Sequence, residues 1–398
     1  MQAGRLQSVV DWLIDGAQSA PQVGSFVTES CERIVASGIP IWRVGVFVST
    51  LHPTMSGRGF IWRAESGVSM TAASYGVEES DDYLSSPIAI VYDTGHEVRR
   101  RLRDTDDVGN SSFLASMQAE GVTDYFALPI TFSDGRREAL SWSTRREGGF
   151  TDTDLDELRA IHAPLSRMIE IFLLRRTAAG LLDNYVGPRA GQRILAGQIR
   201  RGHTETMRAV IWLSDLRGFT PLSDRLPPDA VVELLNRYFD CQVVPILEHG
   251  GEILKFMGDG LLAVFPVAED GSDMPAVCQA VLQAARASRA NVASLEYAIG
   301  DERLGAFRFG LALHVGQVLY GNIGGGDRLD FTCIGPAVNL AARLEKIAGT
   351  LNRTVVASSA FAEAFSEGWS DLGEFPIAGF RRAEHVYGLI DETLMEQS

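Results

Sequence analysis

Two aspartates sit where phosphoryl chemistry would want them. Asp215 follows the apolar run at 208–213 (RAVIWL) and opens Asp215-Leu216-Arg217-Gly218-Phe219-Thr220. Asp259 lies in Gly258-Asp259-Gly260, between a β-type run at 252–257 and its return, LLAVF. Both acids stand at strand ends, so one metal site can draw on both. Hard cations such as Mg²⁺ are held by one or two carboxylates together with substrate phosphates. Two such ions can clamp the attacking and leaving oxygens. Gly218, Phe219 and Thr220 lead into a helix start, where free backbone N–H groups suit a polyphosphate. Further along, residues 329–334 read as a strand, and Gly335-Pro336 opens a helix with Pro in its first turn. Asn339 and Arg343 stand four apart on that helix and share a face. An amide and a guanidinium there suit a ribose ring and a phosphate, because Arg forks onto oxygens where negative charge builds. Taken singly, each feature has a plainer reading. An Asp at a turn is usually structural, and Asn339 with Arg343 also fits a solvated helix face.

The elements that must position these residues follow from periodicity. Residues 208–213 predict a strand, and the run after Asp229, VVELLNRYFDCQVVPILEHG, predicts a helix with Asp229 as its cap. Residues 309–326 are interrupted by six glycines and read as strands and turns. Earlier in the chain, a short helix ends near residue 20, another covers 23–37, and 41–50 reads as a strand that 59–64 can partner. Residues 124–132 and 139–144 flank Ser133-Asp134-Gly135, a hairpin signal. A helix then starts at Asp or Thr within 151–154, with apolar residues at Leu155, Leu158, Ile161, Leu165, Ile169 and Phe172. That spacing is nearly heptad, so the helix packs either on a second copy or on its own domain. The Gly- and Arg-rich stretch at 181–207 marks a junction.

Bulk properties bound the function. The chain has 398 residues, enough for two or three domains, and 45% hydrophobic against 22% charged residues supports a sizeable core. A net charge of −15 argues against nucleic acid as a non-specific partner. The four cysteines have no CxxC or zinc spacing, which suits small buried residues in a reducing compartment. No signal peptide or membrane span is expected, and a cytoplasmic location follows.

Three segments together resemble the class III nucleotidyl cyclases: Asp215 within SDLRGFT, Lys255-Phe256-Met257-Gly258-Asp259, and residues 331–345 (FTCIGPAVNLAARLE). The resemblance covers about residues 205–390. It implies an α+β fold with a ferredoxin-like βαββαβ core and helices on one face. Asp215 and Asp259 match the family's metal aspartates, which hold two ions per site, Mg²⁺ or Mn²⁺. Lys255 matches the lysine that reads adenine, and Thr332 its partner position in a Thr-type subgroup. Asn339 matches the ribose-orienting residue and Arg343 the one that stabilises the transition state. A cationic donor suits adenine N1, whereas guanine presents a donor there, so the resemblance implies ATP as substrate and cyclic AMP with pyrophosphate as products. It further implies a homodimer, with the carboxylates from one subunit and the Lys, Asn and Arg positions from the other. One departure stands out: family members often carry a Lys before a Gly near the end, and here that position is Ala378, with Arg381 and Arg382 close by.

The N-terminal ending, residues 125–171, resembles the close of a GAF-type domain. The expected organisation is a GAF-like sensor or dimerisation domain over 1–175, a helical linker over 176–206 and a cyclase domain over 207–392. The signal at the sensor, a small molecule or a protein, is not encoded in any motif. Two other functions compete, a nucleotide-binding regulator without turnover and a guanylate cyclase using GTP. Residues 324–330 (GGGDRLD) loosely match a GGDEF signature without its Glu and read as a hairpin tip. His314, Trp42, Trp62 and Trp142 read as core residues.

Overall fold

Alternating apolar residues at 43–49 and 137–144 allow two faces of one sheet to be buried, and the computed structural model bears this out. It describes residues 4–103, 108–299, 302–305, 307–326 and 328–395. The chain divides into two units, Met1–Leu181 and Leu182–Ser398.

The first unit holds an antiparallel sheet of β1 (Arg43–Ser49), β2 (Gly57–Arg63), β3 (Gly67–Ala73), β4 (Val98–Arg101), β5 (Asp124–Thr131) and β6 (Arg137–Thr144), in the order β3-β2-β1-β6-β5-β4. Helices α1 (Gln7–Ile14) and α2 (Val23–Ala36) cover one face; α3 (Pro87–Thr94) and α4 (Ser112–Ala119) cover the other. The long helix α5 (Asp152–Val186) begins at a reciprocal cap: Asp154 N–H donates to Thr151 Oγ1 at 3.2 Å, and Thr151 N–H to the Asp154 carboxylate at 3.0 Å. Its near-heptad seam does not face a second copy. Leu155, Leu158, Ile161, Leu165, Ile169 and Phe172 are all buried in the core of this unit, against Val44, Val46, Phe60 and Trp142. Trp42 and Trp62 are buried as well.

In the second unit, α6 (Pro188–Leu195) precedes β7 (Thr204–Leu216), α7 (Phe219–Arg225), α8 (Pro228–Glu248), β8 (Glu252–Met257), β9 (Gly260–Pro266) and α9 (Met274–Ala293). A small hairpin, β10 (Tyr297–Ile299) with β11 (Glu302–Leu304), leads to β12 (Phe309–Gly325), β13 (Arg328–Ile334), α10 (Pro336–Thr350), β14 (Val355–Ser358), β15 (Trp369–Phe375) and β16 (Glu384–Leu389). The sheet order is β15-β16-β14-β12-β7-β9-β8, with β13 paired to β12. Its antiparallel centre, β12-β7-β9-β8, with α8 between β7 and β8 and α9 between β9 and β12, is the split βαβ pattern of ferredoxin-like folds.

Three details differ from expectation. The two helices of the βαββαβ core, α8 and α9, share one face as expected, but α6 and α10 add helices on the other. Val210 and Trp212 of β7 meet α8 and α9, while Ala209 and Ile211, pointing the other way, meet α6 and α10. Residues 309–325 form one long strand instead of strands and turns, because several of its glycines admit neighbouring backbone. A Cβ at Gly321 would lie 2.2 Å from the His203 carbonyl oxygen. Asp229 is in the first turn of α8 rather than at its cap, since Pro227 and Pro228 start the helix. The expected hairpin tip is present insofar as Gly325 pairs with Arg328; Asp327 lies outside the described residues. No helix among the described residues is long and apolar enough to cross a membrane.

Candidate active site

Strand pairing brings the two aspartates together. Asp215, near the end of β7, stands opposite Gly260 of β9 and Gly310 of β12. Asp259 precedes Gly260 in the turn from β8, where Gly258 takes φ +67°, a conformation that favours glycine. A Cβ at Gly260 would come within 3.3 Å of Asp215 Oδ1. The Asp215 carboxyl is pushed up to about 6, first by burial and then by the negative charges of Asp259 and Glu345. Like charges held this close favour a bound cation or proton. The chemistry of this donor pair therefore fits a hard divalent ion, although no cluster of three or more acidic, His or Cys ligands occurs among the described residues.

Just past Asp215, Gly218 turns the chain at φ +72° into the seven-residue α7, whose first residues are Phe219 and Thr220; no side chain caps it. Arg217, between them, was not singled out from sequence. Its Nη1 lies 2.9 Å from Glu345 Oε1, and its Nη2 donates to the Glu345 carbonyl at 3.2 Å. Glu345 is only 6% exposed, and burial raises its carboxyl while Arg217 pulls it down.

Lys255 projects from β8, exposed, and pairs with Asp330 of β13. Asp330 and Thr332 are two apart on β13 and so share a face, which also places the half-buried Thr332 on the side of the lysine. Asp330 was likewise missed. The only signal for it was its place two residues before Thr332. Asn339 and Arg343 lie on the exposed side of α10, while Ala337, Leu340, Ala341 and Leu344 are buried beneath it. Among the described residues, no hydrogen bond or ion pair joins the carboxylate pair to Lys255, Thr332, Asn339 or Arg343.

Ala378 lies on the exposed loop after β15, with Arg381 and Arg382, also exposed, a few residues on. His314 is a core residue: it is buried, its Nδ1 is 2.8 Å from Ser358 Oγ, and burial pushes its pKa down to about 4.

Residues 203–388 match the adenylate and guanylate cyclase catalytic domain. An uncharacterized protein of Mycobacterium tuberculosis is 33% identical over 230 residues, 56% of this chain and 40% of that one. An adenylate cyclase of Anabaena cylindrica is 34% identical over 147 residues, 37% of this chain and 28% of its own length. The adenylyl cyclase CyaB from P. aeruginosa is 25% identical, with a TM-score of 0.40, over 48% of this chain and 96% of that structure. The chain spans less than half the length of these two curated relatives. Residues 203–388 belong to the adenylate and guanylate cyclase catalytic domain family, the class III nucleotidyl cyclases.

Proposed function

We propose that the protein is an adenylate cyclase that converts ATP to cyclic AMP and pyrophosphate, with each active site completed by a second copy of the chain. The observation that carries this reading is the adjacency of Asp215 and Asp259, two carboxylates close enough to share a cation, on the same unit as Lys255, Thr332, Asn339 and Arg343.

Asp215 and Asp259 would hold two Mg²⁺ or Mn²⁺ ions, which when bound supply Lewis acidity at the ribose 3′-oxygen and the triphosphate. The rest falls to the chain. Gly218, Phe219 and Thr220 present backbone N–H groups to the phosphates. Asp330 steadies Lys255, whose ammonium donates to adenine N1, and the Thr332 hydroxyl, on the same side, completes the reading of the base. Asn339 orients the ribose so that its 3′-oxygen lies in line with the α-phosphorus. Arg343 meets the negative charge that grows on the α-phosphate oxygens as the new bond forms and pyrophosphate departs. Arg381 or Arg382 takes the place of a lysine at Ala378 toward the terminal phosphates.

Apolar side chains exposed around Lys255 and Thr332 favour assembly of two copies. Phe256 and Met257 on the edge strand β8 are 51% and 43% exposed; Leu319 and its pairing partner Ile334 are 42% and 44% exposed. The first unit, Met1–Leu181, is proposed as a GAF-like sensor. In support, its sheet borders a cavity of about 630 Å³ lined by Phe47, Tyr83, Tyr92 and Phe113 among others, a size that suits a small molecule.

The test is product identification after purified protein is incubated with ATP or GTP and Mn²⁺. Cyclic AMP from ATP, lost in Asp259→Ala, is expected. Cyclic GMP alone would overturn the substrate, and no product from either would favour a nucleotide-binding regulator.

A further inference from the structure

We propose that Arg217 and Glu345 are a positioning pair that sets how tightly the Asp215/Asp259 carboxylates hold a divalent cation, an inference that rests on those carboxylates being the metal site. The guanidinium of Arg217 meets Glu345 twice, as an ion pair with the carboxylate at 2.9 Å that lacks hydrogen-bond geometry and as a hydrogen bond to the main-chain carbonyl at 3.2 Å. Two glycines keep open the slot it fills. A Cβ at Gly310 would lie 1.9 Å from Nη2 and one at Gly349 would lie 2.9 Å from Nη1. The first of these glycines is the β12 residue that pairs with Asp215, so the guanidinium lies beside the carboxylate pair.

Electrostatics gives this placement a consequence. Glu345 is buried, and its Oε1 lies 2.6 Å from where a Cβ on Gly310 would stand, opposite Asp215 in the sheet. Arg217 and Glu345 therefore meet at one backbone position beside Asp215. Within a poorly screened interior, unit charges a few ångströms apart act strongly on one another. Intact, the pair is nearly neutral toward a cation at Asp215 and Asp259. Removing the negative member leaves Arg217 repelling that cation, whereas removing both restores the balance. The pair also anchors α10 to the end of β7, two residues from Arg343 and two from Asp215, so the catalytic helix and the metal carboxylates of one chain are held in a fixed relation.

A pair that served packing alone would behave otherwise. Breaking it on either side would loosen the site, and breaking it on both sides would loosen it further. The deciding measurement is binding of Mn²⁺ alone to the full chain, read from the electron paramagnetic resonance signal of free Mn²⁺. Glu345→Gln is expected to weaken binding by about three- to tenfold. The double variant R217Q/E345Q is expected to return to within about twofold of the parent. Arg217→Lys keeps the charge without the fork and should also bind within about twofold. A double variant that binds as weakly as Glu345→Gln, or more weakly, would overturn the proposal, as would unchanged binding in Glu345→Gln. Asp259→Asn separates the two readings: if it binds Mn²⁺ as well as the parent does, the carboxylate site and the pair fall together. If it loses the ion while Glu345→Gln does not, only the pair falls.

Discussion

On the proposed reading, Lys255 selects the base from an exposed position. Its ion pair with Asp330 is solvent-accessible on both sides, so it adds little to stability; its value lies in where it holds the ammonium. A charged hydrogen bond to the base is worth about 1.5–3 kcal/mol. Lys255→Ala should therefore lower kcat/KM for ATP by about ten- to a hundredfold while leaving the chain folded and Mn²⁺ binding intact. Steady-state kinetics with ATP, beside a metal titration, checks this. An equal loss of metal binding would place Lys255 at the carboxylates instead of the base. Asp330→Asn should give a milder loss of the same kind, because it frees the lysine without removing it. At this scale the sequence was most informative. Asp215, Asp259, Lys255, Thr332, Asn339 and Arg343 were all legible as candidates because residue type and spacing survive without coordinates. Asp330, Arg217 and Glu345 were not, although all three lie inside quoted segments. Their roles come from pairings 75 and 128 residues apart in the chain, which no local pattern reports.

Strands and helices were readable wherever a period dominates, and misread where a neighbour overrides it. The strand at β7 and the helix at α10 follow from their apolar spacing. The single strand of β12 was hidden because its glycines look like turns until the backbones they admit are known. The second face of helices was also hidden, since the alternation in β7 is apolar on both sides. His314 illustrates what such burial does to an element. It joins β12 to β14 through Ser358, and burial lowers its pKa from an ordinary 6.5 to about 4 despite the nearby Glu384 charge, which acts in the opposite direction. Between those two values the unfolded chain binds the proton and the folded chain does not. The stabilisation is therefore complete above about pH 6.5 and is lost as pH falls toward 4, by up to about 3 kcal/mol for a shift of this size. Urea unfolding at pH 7.5 and 5.0 should show this loss in the parent. His314→Gln, which cannot titrate, should show a smaller drop over the same interval. Equal drops in both proteins would mean that other groups carry the acid sensitivity.

For the molecule as a whole, the question is whether one chain can work alone. Among the described residues, no hydrogen bond or ion pair joins the carboxylate pair to the face bearing Asn339 and Arg343, and the exposed apolar side chains of Phe256, Met257, Leu319 and Ile334 lie on β8, β12 and β13, the strands near Lys255 and Thr332. Both facts follow if a second copy lays its own α10 against Asp215 and Asp259, which makes two equivalent sites about a twofold axis. Asp259→Ala then kills the metal half of a site, and Arg343→Ala kills the transition-state half. Each variant alone forms dimers in which both sites are dead. When the two are co-expressed in equal amounts, random pairing makes about half of the dimers mixed. In a mixed dimer, one site receives the intact aspartates of one chain and the intact arginine of the other, while its second site receives both lesions. One live site in half of the dimers, against two in every parental dimer, gives about a quarter of the parental specific activity. Cyclic AMP production by the mixture should rise to that level from near zero in either variant alone. A mixture no more active than its components, in a preparation where mixed dimers are demonstrated by differential tagging, would require each chain to build its site from its own residues.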